Sequence, residues 1–440
     1  MMQKVLKADS TSLIIALLIL DAAILAAGIG VHFVIPLLFI AVPLVLLIAI
    51  LYPEFGLVSV IFSAFLTNPL FFWLTGEYRA PSWTYLLKII LPLAALLGFY
   101  LSGKRFEIRF SSVEFFVFLL LGIYILALLY SPDITGGIGK LAKVVVAVLT
   151  GFVLVPFMRA DSKSFHRFFS FIVLYAVLML IYSAFALSTG AFATAGRFYA
   201  GIGTIVYPRL LGLVNLVNVF FFSTAKTKGR KIFFLALIAV TLFFEIVAAT
   251  RGPLVAFAIC TIIYILAFWK TKSIYRFSLI VLLVIGLVGL FALAPGMQKT
   301  RMTEDISIDQ SALTRAFLYS LSFRLFLQHP ILGVGFNGFS QALPSWAKAV
   351  GVVYPHNIFL EHASEMGIVG LLAFVLFLLA VFSRLYSSLW GKDKLSGDLR
   401  TCFIWVAIVF LYFLANAQIS GSFAGNYAVY LFGIMLSQMA

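Results

Sequence analysis

Ile368-Val-Gly-Leu-Leu-Ala-Phe-Val-Leu-Phe-Leu-Leu-Ala-Val-Phe382 would present an apolar side chain to every face of a helix. A helix on the surface of a soluble domain keeps one polar face, whereas a run hydrophobic all round is buried in a large core or in a bilayer. Leu13 to Gly30, interrupted only by Asp21, and Ser278 to Ala294 read the same way. A transmembrane barrel would instead alternate polarity over segments of about ten residues. Hydrophobic residues make up 63% of the 440 and charged residues only 11%, against roughly 25% charged in a soluble domain. The fold class expected is all-α, a polytopic transmembrane helix bundle.

Hydrophobic runs set against their polar breaks give about 14 spans. They fall at 12–30, 32–51, 55–74, 83–101, 113–130, 141–158, 168–188, 210–225, 232–249, 252–269, 277–294, 366–388, 401–419 and 426–439. Lys4 and Lys7 before the first run resemble the start of a signal peptide. The run outlasts a signal core and shows no small-residue cleavage site, so it is expected to remain as the first span. Basic clusters at Lys4/Lys7, Lys104/Arg105/Arg109, Arg159/Lys163/Arg167, Lys226/Lys228/Arg230/Lys231, Lys270/Lys272/Arg276 and Arg384/Lys392/Lys394/Arg400 share one side. The positive-inside rule makes that side cytoplasmic, with both termini on it. Three regions follow: a bundle over 1–294, an extracytoplasmic loop over 295–365, and C-terminal spans over 366–440.

The formal net charge of +15 is thus mainly a topology signal. Nucleic-acid binding would need a contiguous basic face, and these clusters are spread over short loops. Cys260 and Cys402 both fall in apolar spans and read as small core residues, with neither a disulfide framework nor a metal site implied.

The polar interruption from Ala294 to Glu365 is far longer than a connector needs to be, and long loops with their own patterning are usually functional. On the predicted extracytoplasmic side no nucleotide is at hand, so any transferred group must arrive already activated on the membrane. Arg197, Arg209, Arg251, Arg301, Arg315, Arg324 and Lys348 are basic residues on this side, against the topology rule. A cation near hydrocarbon costs roughly 2.5 to 3.5 kcal/mol at mid-helix on insertion scales, so Arg251 should have an anionic partner, either a lipid headgroup or a substrate. Thr250-Arg251-Gly252-Pro253 breaks one helix and starts another. Its free N–H groups and the arginine fork together suit phosphate.

Ser311 to Gln328 reads as a helix too charged to span. Arg315, Tyr319 and Ser322 form a polar stripe on it beside an apolar face of Leu313, Phe317, Leu321 and Leu325, as in a helix lying on the membrane surface. Pro330 ends it, and Gly333, Gly335 and Gly338 allow close backbone approach. No strand precedes these glycines, which removes a Rossmann or P-loop reading.

His356 is the candidate for proton chemistry. Pro355 favours a turn before it, and Asn357 is placed to cap a helix running through Glu361 and Glu365. An unperturbed imidazole titrates near 6.5 and can take a proton from an attacking hydroxyl, although a histidine here could equally cap or pack the loop. His329, before Pro330, reads as structural, and His362 lacks the further ligands of a metal site. No Asp-x-Asp pair occurs in an outer loop, Glu304-Asp305 and Asp309 being the nearest approach. Arginines would therefore take the place of a diphosphate-bound cation.

Thr250-Arg251-Gly252, then Arg315 with His329-Pro-Ile-Leu-Gly-Val-Gly-Phe-Asn-Gly-Phe339, then Pro355-His356-Asn357 with Glu361, Glu365 and Gly367, resemble the O-antigen ligase and polymerase superfamily. The resemblance runs over roughly Ala195 to Gly370. It implies a GT-C-type membrane glycosyltransferase of the bacterial inner membrane with its active site facing the periplasm. The donor implied is an undecaprenyl-pyrophosphate-linked glycan. The acceptor is lipid A core for a ligase, or a second lipid-linked glycan for a polymerase. By that likeness Arg251 and Arg315 hold the pyrophosphate, His356 is the acceptor base, and Arg197 in Gly196-Arg197-Phe198 is a weaker carry-over. The superfamily implies about a dozen spans, fewer than the count above.

The chemistry expected is a single displacement that inverts the anomeric centre, with no metal or soluble cofactor and with the lipid-borne donor entering sideways from the membrane lipids. A transporter of lipid-linked glycans is the rival from another class, with Asp21, Lys88 and Glu245 as an intramembrane path. Such proteins place their binding groups at the midplane between repeated halves, and no internal repeat is present.

Overall fold

The computed structural model describes residues 44–68, 83–101, 110–158, 162–189, 193–194, 197–269, isolated positions between 281 and 292, 310–349, 353–391 and 394–439. The first span read from the sequence lies outside these residues, as do most of the second and of the span at 277–294. Asp21, Arg301, Glu304, Asp305 and Asp309 are outside them too. The chain divides into two units, Met1–Glu107 and Ile108–Ala440. In the first, α1 (Pro53–Ile61) packs against α2 (Trp83–Leu101).

The second unit holds α3 (Ser112–Leu129), α4 (Ile134–Leu154), α5 (Ser162–Ser188), α6 (Val206–Thr224), α7 (Lys228–Val247), α8 (Arg251–Ala267), α9 (Gln310–Gln328), the short α10 (Ser345–Ala349), α11 (Ile358–Trp390), α12 (Gly397–Ala417) and α13 (Tyr427–Met439). Six of the described helices, α3, α4, α5, α6, α11 and α12, are long and apolar enough to cross a membrane. The protein is an integral membrane protein of helical class. Its described strands are a two-residue ladder, in which Thr194 pairs with Arg197 and Ala193 with Phe198.

Burial ranks the helices. Every residue of α6 from Tyr207 to Phe220 is buried, so α6 is a central post, packed by α7, α8, α12 and α5. Such an element can carry a charged side chain only where the fold supplies hydrogen-bonding partners for it. On the other side α3 packs along α11, and α4 along α13. Helix starts are fixed by side chains. Ser111 and Glu114 form a capping box on α3, and Ser437 and Gln438 of α13 reach the same carboxylate at 3.0 and 2.7 Å. Asp133 caps α4 and Asn357 caps α11, the latter accepting from the N–H groups of Phe359 and Leu360 at 3.0 Å each.

One boundary differs from the sequence reading in a way that matters. The span expected over 141–158 begins at Ile134 as α4, which brings Lys140 into the helix. The helix expected to start at Asn357 and to run through Glu361 and Glu365 into the next span does so as α11, with Glu361, His362, Ser364 and Glu365 fully buried. α11 is kinked at Gly367, whose φ of 63° and ψ of −155° leave the helical region.

Candidate functional site

The site grows from the kink in α11. Its broken backbone groups pair with the glycine-rich turn that follows α9. The Ile368 N–H donates to Pro330 O at 2.8 Å, Val334 N–H to Ser364 O at 3.0 Å and Gly335 N–H to Glu365 O at 2.9 Å. Approach this close leaves no room for side chains. A Cβ on Gly333 would lie 2.4 Å from Glu365 C, and one on Gly367 would lie 2.3 Å from Ile331 O. The Pro-Ile-Leu-Gly-Val-Gly run is therefore a backbone latch on the helix.

Beneath the latch, Lys140 Nζ lies 2.7 Å from Glu361 Oε1 and 2.9 Å from Glu365 Oε2. It also sits over the rings of Phe423 and Phe336, at 4.6 and 5.1 Å. The second oxygen of Glu361 accepts from the Phe423 N–H at 2.9 Å, and Glu365 accepts from the Asn337 N–H at 2.8 Å. One ionic knot thus joins α4, α11, the glycine turn and the loop between α12 and α13. Glu361 and Glu365 fall on one face of α11 one turn apart, and two buried carboxylates so placed need a cation, which α4 provides. Neither is free to serve as a base. His362 is committed too. Its Nδ1–H donates to Ile358 O at 2.6 Å, so its Nε2 accepts from the Tyr124 hydroxyl at 2.8 Å.

The loop between α12 and α13 touches Arg209 and the elements that carry Arg315, His356 and Arg251. Gln418 O accepts from Tyr319 Oη of α9 at 3.1 Å and from Asn357 Nδ2, the cap of α11, at 3.0 Å. One carbonyl thereby ties the helix bearing Arg315 to the helix that starts after His356. Gly252, next to Arg251 at the start of α8, is fitted against Ile419, since a Cβ there would lie 2.4 Å from Ile419 Cδ1. Arg209 Nη2 donates to Ser420 O at 2.6 Å and to Asn416 O at 3.2 Å. Arg197 is placed by its backbone alone, opposite Thr194 in the hairpin before α6.

His356 has φ of 64°, a left-handed conformation uncommon for a residue with a side chain and held only by its surroundings. Its ring packs on Tyr354, with centroids 4.5 Å apart, and its buried Nδ1 has no hydrogen-bond partner among the described residues. Burial, then the positive charges of Arg315 and Arg209, push its pKa down to about 4. The imidazole is neutral at pH 7, able to accept a proton, and set among cations.

α9 turns its expected polar stripe toward the protein. Ser322 is fully buried with Leu318 and Leu325, and these two leucines share a small core with Phe339, Leu343 and Ala347. Of the apolar face expected to lie on the membrane surface, Leu313 and Phe317 point outward, 51% and 36% exposed, while Leu325 is buried. His329 is exposed at the helix end. Of the transporter path, Glu245 is buried and accepts from Asn215 Nδ2 at 3.0 Å.

Two components escaped the sequence reading: Lys140, placed in a loop, and the 416–426 loop; Arg209 was named among the outer basic exceptions, without its partners. The polar run Asn416, Gln418, Ser420, Ser422 and Asn426, with Gly421 and Gly425, between two apolar spans was the available signal for the loop.

Residues 233–375 match the family model described as O-antigen ligase. No curated protein matches the chain.

Proposed function

We propose, from the O-antigen ligase family domain over residues 233–375, that this protein moves a glycan from undecaprenyl pyrophosphate to an acceptor sugar hydroxyl on the extracytoplasmic face of the bacterial inner membrane. Proteins of this family are membrane glycosyltransferases acting on lipid-linked glycans. The observation that carries the reading is His356, neutral, with an Nδ1 that has no partner among the described residues, under the charges of Arg315 and Arg209. A donor that leaves as a pyrophosphate needs preorganised cations, and a hydroxyl acceptor needs a base.

In this reading Arg315 and Arg251, with Arg197 as a weaker third, bind the pyrophosphate. His356 takes the acceptor's hydroxyl proton as its oxygen bonds to the anomeric carbon. The bond from that carbon to the pyrophosphate breaks, its electron pair leaving with undecaprenyl pyrophosphate, and the anomeric centre inverts. The extracytoplasmic segment over 295–365 carries the chemistry and the flanking spans hold it. The acceptor is lipid A core in a ligase. Supplying a single carrier-linked repeat with and without core tests this: elongation without core would assign a polymerase instead.

Arg315→Lys keeps the charge and loses the planar fork. A hydrogen bond to a charged group is worth about 1.5 to 3 kcal/mol, so kcat/KM for the donor is expected to fall roughly 10- to 100-fold. Steady-state kinetics on carrier-linked glycan, with and without chelator, measure this. An undiminished Arg315→Lys enzyme, or activity lost to chelation and restored by Mg²⁺, would remove the arginine from the donor site.

A further inference from the structure

Arg209 sits in the first turn of α6, only 5% exposed. Its Nη1 donates to Asn426 Oδ1 at 2.9 Å and to Gly425 O at 3.4 Å, and its Nη2 to the carbonyls of Ser420 and Asn416. All four acceptors are neutral. Among the described residues no carboxylate pairs with it: Glu361 and Glu365 are held by Lys140, and Glu245 by Asn215. A buried cation ordinarily has an anionic partner, because neutral dipoles recover only part of its lost hydration.

The surroundings are shaped for this guanidinium. Gly421, at φ 79°, passes so close that a Cβ would stand 3.1 Å from Nη1 and 3.2 Å from Nη2. The Tyr412 hydroxyl donates to the carbonyl of Arg209 itself at 3.0 Å. Bridging loop carbonyls needs donors; what arginine adds is a permanent charge. That charge bears on Tyr354 and His356 from α6, as Arg315 bears on His356 from α9, while Tyr412, Tyr354 and Tyr427 face Arg209.

We propose that Arg209 is a further cation of this site, a fixed charge with no carboxylate partner among the described residues, stationed behind Tyr354 and His356 to draw and hold the anionic head of the donor. The proposal rests on the donor being a pyrophosphate, as set out above. Its terminal nitrogens are already occupied by the loop, so Arg209 does not fork the phosphates. It is a positioning residue that acts through its field, and the ligand supplies the counter-charge that no described carboxylate gives it. Binding of that ligand closes the charge balance around His356.

The test uses the full-length protein in detergent. Acylation of His356 by diethyl pyrocarbonate, which needs the neutral ring, is followed by peptide mass across pH, with and without inorganic pyrophosphate. Arg209→Gln removes the charge, and Asn426→Asp supplies a counter-charge beside Nη1 while keeping the arginine. Both are expected to move the pH midpoint of acylation upward and to raise the pyrophosphate concentration needed for protection about tenfold. Arg209→Lys, which keeps the charge and loses part of the loop clamp, is expected to lower the melting temperature and leave the midpoint in place.

A purely structural arginine would lower the melting temperature in Arg209→Gln without moving the midpoint. An unmoved midpoint in both Arg209→Gln and Asn426→Asp, or no protection of the wild-type protein by pyrophosphate, overturns the proposal. Neither readout requires glycan transfer. Failure of transfer alone would therefore count against the proposed function and leave the Arg209 assignment standing.

Discussion

Replacing His356 by Asn is expected to cut turnover about 10²- to 10⁴-fold while leaving donor binding within a few-fold of wild type. Asparagine is the informative substitution because it tolerates the left-handed backbone that His356 adopts at φ 64°, where alanine would add strain. Single-turnover kinetics with a separate donor-binding measurement divide the two effects. If binding collapsed together with turnover, His356 would belong to the pyrophosphate clamp. The base would then have to come from the outer tyrosines, since Lys140 holds both Glu361 and Glu365.

The pH dependence has a definite sign. A base works deprotonated, so activity is present above its pKa and lost as pH falls through it. With the imidazole of the free protein pushed down to about 4, kcat/KM should hold through pH 6 and decline only as pH approaches that value, lower than an unperturbed histidine would give. Donor binding brings negative charge to Arg315 and Arg209 and cancels their repulsion of the imidazolium. The acid limb of kcat should therefore lie at higher pH than that of kcat/KM. Coincident limbs near 6.5 would show that the two arginines do not act on the proposed base.

Lys140→Met is expected to be the most damaging change to stability. It leaves two fully buried carboxylates without their cation, and breaking a buried pair on one side costs about 3 to 5 kcal/mol. The same carboxylates hold the Phe423 and Asn337 N–H groups, so the loss should spread to the 416–426 loop and the glycine latch. Thermal unfolding in detergent measures it. Adding Glu361→Gln and Glu365→Gln to Lys140→Met should recover much of the loss, because neutral amides need no counter-ion. A Lys140→Met protein that melts like wild type would mean that the knot does not hold the site together.

The sequence made the local features plain. Hydrophobicity marked the spans, Asn357 was legible as a helix cap, and the helix before Pro330 ends at Gln328, as its pattern required. Pairings across long stretches of chain were not legible. Lys140 meets Glu365 across 225 residues, and no local pattern connects them. The glycines after Pro330 announce close backbone approach without naming the partner, which is the kink at Gly367. Periodicity showed that α9 has two unlike faces. It could not show which one turns inward, because near a bilayer apolar residues are as stable outside as inside. Arg209 illustrates the same limit: composition marked it as one more outer cation, and only its burial against the 416–426 loop set it apart from the rest.

Reconstitution decides most directly whether this is a glycosyltransferase site. Purified protein would be given undecaprenyl-pyrophosphate-linked glycan and an acceptor glycolipid, and the products weighed by mass spectrometry. The arrangement of Arg315, Arg209 and His356 predicts a new glycosidic bond on the acceptor, one undecaprenyl pyrophosphate released per bond, and loss of both in His356→Asn. Movement of intact donor across the membrane with no bond formed, unaffected by His356→Asn, would contradict it and assign the chain to transport.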